Sequence, residues 1–122
     1  MESKETALLA CKAIDDKKGQ QIMLLELNGI SLLTDFFIIC NGSSRTQTQA
    51  IADNVEKEMK RVGLFLNRRE GYAEGRWILL DYGSVIIHIF QKEEREFYNL
   101  ERLWGDARIM YYKDYVLSFR KM

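Results

Sequence analysis

Apolar residues recur along the chain at two spacings, and each spacing names an element. Ala7, Cys11 and Ile14 fall on one stripe of a helical repeat, which predicts a helix over residues 5–17. Lys17 and Lys18 suit the negative end of its dipole, and Gly19 supplies a C′ stop. Residues 21–27 are apolar, short and followed by Asn28-Gly29, the pattern of a strand ending in a turn. Residues 35–40 form a second strand, aromatic and β-branched without polar alternation, which points to burial on both faces. Asn41-Gly42-Ser43-Ser44 then breaks the pattern. Ser44 with Gln47 three positions later fits a capping box, and Ile51, Val55, Met59 and Val62 predict a helix over 45–62, stopped by Gly63. Residues 64–68 read as a short strand that enters a polar loop, 69–75.

The most legible stretch is 76–90. Two strand-like runs, 77–82 and 85–90, flank Gly83-Ser84, a fitting two-residue type II′ hairpin loop. Such a loop sets the register: Tyr82 faces Val85, Leu80 faces Ile87 and Ile78 faces Ile89, and these six share the core face. The other face sets Trp77 opposite Phe90, Leu79 opposite His88 and Asp81 opposite Ile86. Large aromatics beside a histidine and a carboxylate suit neither a dry core nor a solvent face, so this is a candidate docking surface. Residues 92–104 read as one helix or two short ones, with Phe97, Leu100 and Trp104 on one side and Gly105 as the stop. The tail, 107–122, interleaves Tyr111, Tyr112, Tyr115 and Phe119 with Arg108, Lys113, Arg120 and Lys121 against the single acid Asp114. Five strands with helices and no linker or repeat make one α/β domain.

Composition narrows the chemistry. At 122 residues, 47% hydrophobic and 30% charged, the chain has the size and make-up of a single globular domain. Eighteen basic residues against eighteen acidic ones give a net charge of zero, so no global field draws it to nucleic acid, membrane or polyanions. One histidine, two cysteines and no proline exclude a multi-histidine metal site, a C-x-x-C pair and a cis-proline turn. Cys11 and Cys40 sit in apolar segments and read as buried free thiols. The first residues are mixed in charge, with neither a secretory h-region nor an Arg-rich transit bias, and no run reaches membrane-spanning length. A cytoplasmic location is the expectation.

The chemical candidates are few. His88 would need a nucleophile from Cys40, Ser31, Ser43, Ser44 or Ser84, and no spacing favours any of them, so a structural or interfacial imidazole is the better reading. Gly42-Ser43 at a strand-to-helix junction offers a weak anion site. Asp35, Asp81 and Glu26 are the acids of the strand runs, no D-x-D occurs, and two-metal chemistry is not expected. The runs 92–96 and 56–61 read as solvated helix faces. Arg68, Arg69 and Arg76 could touch RNA, but Glu70 and Glu74 partly cancel them. The tail's aromatic and basic residues could stack on RNA or pack back on protein. Trp104 reads as core, Tyr98 leans to an interface, and Trp77 fits either.

The segments Thr34-Asp35-Phe36-Phe37-Ile38-Ile39-Cys40-Asn41-Gly42-Ser43-Ser44, then Gln49, Ala52, Asp53 and Asn54, then Glu70-Gly71, are followed by Trp77-Ile78-Leu79-Leu80-Asp81-Tyr82-Gly83. Arg95-Glu96-Phe97-Tyr98-Asn99-Leu100-Glu101-Arg102-Leu103-Trp104-Gly105-Asp106 completes the set. In order and spacing these resemble the ribosomal silencing factor family, also called the Iojap family. The match covers residues 4–106, which defines a domain over 1–106 with 107–122 as its aromatic and basic tail. The resemblance implies a mixed five-stranded α/β sheet of nucleotidyltransferase-like topology without the catalytic carboxylates, because residues 64–68 carry no D-x-D. It implies binding to the large ribosomal subunit through its fourteenth protein, where the small subunit must dock, and lowered translation when nutrients are scarce. Homodimers occur in the family, and a related role in large-subunit assembly belongs to its organellar members. On that basis Trp77, His88 and Phe90 are expected as docking anchors, joined by Tyr98 and Arg102, with Asp81 at the polar rim. Contact with ribosomal RNA would be minor, and no cofactor, metal or membrane is implied. The rival is a divergent nucleotidyltransferase using Gly42-Ser43 for phosphates and Asp35 or Asp81 for a metal.

Overall fold

The computed structural model of the chain describes residues 1–98 and 107–113, with side chains described to residue 95 and again from 107. The elements run α1 (Ser3–Asp16), β1 (Gln20–Glu26), β2 (Phe36–Gly42), α2 (Arg45–Arg61), β3 (Arg68–Glu70), β4 (Trp77–Asp81), β5 (Val85–Gln91), α3 (Lys92–Tyr98) and β6 (Arg108–Tyr111). They build a mixed sheet in the order β3-β4-β5-β2-β1-β6. Among the described residues only β2 and β5 run parallel; the other four strand pairings are antiparallel.

The sheet has six strands, not the expected five. The sixth lies in the tail, where Tyr111, Met110, Ile109 and Arg108 pair with Met23, Leu24, Leu25 and Glu26 of β1. Four residues, Arg108-Ile109-Met110-Tyr111, are too few to declare a strand by alternation alone; the partner supplies the pairing. The strand expected at 64–68 is displaced to Arg68–Glu70, inside the expected loop. A Schellman motif explains the shift: Gly63 takes φ +83, its amide donates to the Lys60 carbonyl, and the Leu64 amide donates to that of Met59. Leu64 and Leu66 then pack against the core as irregular chain, and pairing with β4 begins only at Asn67, whose amide donates to the Asp81 carbonyl.

The helix ends follow the same logic with one correction. α1 also closes in a Schellman motif, but Lys18, at φ 62, occupies the left-handed position and Gly19 stands one residue beyond. Glycine is required there for space, since a Cβ would lie 2.3 Å from Ile14 Cγ2. At the start of α2 the Ser44 hydroxyl accepts from the Gln47 amide at 3.1 Å, as the capping box predicts.

α1 and α2 cover one face of the sheet. Ile22, Leu24, Ile38, Cys40, Ile78, Leu80, Val85, Ile87 and Ile89 meet Ala7, Ala10, Cys11, Ile14, Ile51, Val55 and Met59 there. Both cysteines are free and buried. Burial pushes the Cys40 thiol up to about 12 and raises that of Cys11 as well, which leaves both inert as nucleophiles.

Candidate docking face

The hairpin register places the second face as the sequence requires. Gly83 takes φ +83, the Tyr82 amide donates to the Val85 carbonyl, and Trp77, Leu79 and Asp81 stand opposite Phe90, His88 and Ile86. The parallel pairing sets Phe37 beside Ile86 and Ile39 beside His88, and β1 adds Leu25 and Met23 in the same rows. β6 completes them with Ile109 and Tyr111, both exposed. The face is therefore a continuous, largely apolar layer across five strands, only part of which solvent reaches.

Its depth varies. Met23, Leu25, Ile39, His88 and Phe90 are buried, with His88 at 5% and Phe90 at 1% exposure. Trp77, Leu79, Asp81, Ile86 and Phe37 are half-buried. These half-buried side chains are the part of the face that solvent reaches, whereas Phe90 and His88 beside them are shut off from it. Leu79 and Ile86 reach this face through the register alone, without any feature of their own to single them out. Phe37, expected to be buried on both sides, joins it because its neighbours come from a parallel pairing that no local pattern encodes.

Trp77 is held from two sides. Its ring sits 5.0 Å from that of Phe90 at 32°, and its Nε1 donates to His88 Nδ1 at 3.0 Å. Indole nitrogen can only donate, so His88 Nδ1 must accept, which assigns a neutral imidazole with its proton on Nε2. Burial agrees, lowering the His88 pKa to about 4. The Phe37 ring meets the imidazole edge-on at 4.7 Å. Asp81 serves the backbone instead, where its Oδ1 accepts from the Gly83 amide at 2.8 Å and braces the hairpin turn.

On the same side of the sheet, where β5 ends, α3 is tied down by a buried arginine. Arg95, expected on a solvated charge run, is only 7% exposed. Its guanidinium donates to the Gln21 carbonyl at 2.6 Å and to Asn41 Oδ1 at 2.8 Å. Gln21 sits at φ 48 where the β1–β2 register shifts, so the bulge aims a carbonyl at the arginine. Tyr98 ends α3, but its side chain lies outside the described residues, as do Phe97, Leu100, Arg102, Trp104, Tyr115, Phe119, Arg120 and Lys121.

The junction at Gly42-Ser43 is already occupied by the chain. Gln47 Oε1 accepts from the Ser43 amide at 2.6 Å and from its hydroxyl at 2.8 Å, while Nε2 donates to the carbonyls of Lys17 and Lys18. The donors that would cradle a phosphate instead clasp the end of α1 to the start of α2. Among the described residues no group of three or more His, Cys, Asp or Glu could hold a metal ion. Two of the three candidate arginines beyond α2 are paired: Arg69 lies 3.0 Å from Glu56 and 4.3 Å over the Tyr72 ring, and Arg68 lies 3.9 Å from Glu70, while Arg76 is exposed. No helix among the described residues is long and apolar enough to cross a membrane.

Known proteins share both sequence and fold with this chain. The family model described as "Ribosomal silencing factor during starvation" matches residues 1–120. The ribosomal silencing factor of Halalkalibacterium halodurans is 50% identical over 88% of this chain and 92% of its own length, and that of Bacillus subtilis 45% over 88% and 91%. The chloroplastic Iojap protein of Arabidopsis thaliana is 36% identical over 87% of this chain and 44% of its own. A crystal structure from Chromobacterium violaceum superposes with a TM-score of 0.84 at 34% identity, covering 86% of this chain and 88% of that one. With the family model matching residues 1–120 and relatives 45–50% identical over 88% of the chain, the chain belongs to the ribosomal silencing factor family.

Proposed function

We propose that this protein represses translation by binding the large ribosomal subunit through its fourteenth protein, on the surface that meets the small subunit. Bound there, it blocks subunit joining and lowers protein synthesis when nutrients are scarce. The observation that carries the reading is the half-buried apolar face around Trp77, set on a rigid sheet in a chain of zero net charge. Such a surface suits a protein patch, whereas RNA backbone would call for a basic one. Trp77 is the central anchor, with Asp81 at the rim, Phe90 and His88 as its support, and Tyr98 and Arg102 adding contacts from beyond the sheet. Contact with ribosomal RNA is minor in this account. A homodimer using the same apolar face would compete with the ribosome for it. The protein works in the cytoplasm, needs no cofactor and turns over no substrate.

The topology is read as that of a nucleotidyltransferase sheet that has lost its chemistry. The strand after α2 carries Arg68-Arg69-Glu70 rather than paired aspartates, and Gln47 fills the phosphate-binding corner. Steric occlusion requires none of these. Truncation of a central aromatic hot spot costs at least ~2 kcal/mol, about 30-fold in affinity. Trp77→Ala should therefore bind both isolated large subunits and the purified fourteenth protein at least that much more weakly. Equal binding by variant and wild type would remove the face from the account.

A further inference from the structure

We infer that His88 is a positioning residue for Trp77, fixing the plane in which the indole is offered to a partner. The inference rests on the docking reading of the second face. Trp77 is half-buried on β4, and His88 is its diagonal neighbour on β5, one pair removed from the Trp77–Phe90 register. Diagonal cross-strand pairs lie within reach of aromatic side chains, and here the contact is a directed bond of 3.0 Å. Phe90 supports one side of the indole at 5.0 Å, and Phe37 meets the imidazole edge-on at 4.7 Å. Together these contacts leave the indole little rotational freedom before any partner arrives.

The identity of the residue supports a role beyond filling space. His88 Nε2 carries the proton, is buried and has no hydrogen-bond partner among the described residues. A buried donor without a partner is destabilising, and a phenylalanine or leucine at this position would avoid it. What histidine supplies, and those residues cannot, is an acceptor for Trp77 Nε1. An anchor oriented in advance loses less side-chain freedom on binding, so its contact area is turned into affinity more completely.

The chain has two tryptophans, so the indole N–H signals of 15N-labelled protein report Trp77 directly once Trp77→Phe identifies its peak. In His88→Phe, the Trp77 indole proton should exchange with solvent at least ~10-fold faster, and large-subunit binding should weaken about 10-fold, with the backbone fingerprint otherwise retained. His88→Asn, whose Oδ1 stands near the place of Nδ1, should restore both to within about three-fold. In a Trp77→Phe background, where no donor remains, His88→Phe should add no further loss. Should His88→Phe lose the folded fingerprint, His88→Gln, with its acceptor displaced outward, is read by the same criteria. The inference is overturned if the indole stays protected without the acceptor, or if the two losses add. It is also overturned if His88→Phe binds normally while Trp77→Ala does not. Normal binding by Trp77→Ala would instead overturn the docking reading, and the positioning role with it.

Discussion

His88 stays neutral because burial penalises its charged form and because its Nδ1 is committed to accepting from Trp77. Its folded pKa of about 4 lies below the ordinary value of 6.5, so the unfolded chain takes up a proton first as pH falls. Stability from this residue is fully present above pH 6.5 and is lost as pH drops toward 4, by up to about 3 kcal/mol. Urea midpoints measured from pH 7 to 4 should decline in wild type more steeply than in His88→Phe; parallel curves would show that the imidazole is not the group involved. At this scale the site was partly legible. A two-residue loop sets the register, and register alone placed Trp77, Asp81, His88 and Phe90 on one face. Depth was not legible, because Phe90 is buried by neighbours distant in sequence and Phe37 is half-buried where its own run looked wholly buried. Arg95 hid inside a charged run, since nothing local marks the bulge at Gln21 that receives it.

Elements were legible where their ends carry their own chemistry. The N-cap of α2 follows from Ser44 and Gln47, and its end from Gly63, because caps are local bonds between near neighbours. β3 and β6 escape a local reading because each is short and exists only as a partner to a strand elsewhere. Gln47 does more than the capping box asks. It reaches back one residue further, to Ser43 rather than Ser44, and bonds the carbonyls of Lys17 and Lys18 just beyond α1. Gln47→Ala would leave the Ser43 amide and the Lys17 and Lys18 carbonyls to water, and its expected cost is about 0.5–1.5 kcal/mol. Chemical denaturation checks it. A change within a few tenths of a kcal/mol would mean that the clasp contributes little to the union of the two helices.

For the molecule as a whole, strand order was beyond local reading. β2 and β5 are parallel neighbours separated by α2 and the β3–β4 pair, and only the assembled core selects that arrangement. Charge was legible from the start, and it carries a prediction. A chain with eighteen charges of each sign, docking on protein, should lose affinity for large subunits only shallowly with salt, by fewer than about two phosphate equivalents. A steep slope that disappears on replacing Lys113, Arg120 and Lys121 with glutamine would favour the tail gripping RNA. Those point changes are preferable to deleting the tail, because deletion would also remove β6 from the sheet edge. Occlusion of the small subunit is read out in the joining of purified subunits. Small and large subunits mixed at high magnesium should sediment increasingly as free subunits as wild-type protein is added, with Trp77→Ala far weaker. Undiminished joining at protein concentrations that saturate the large subunit would contradict the account.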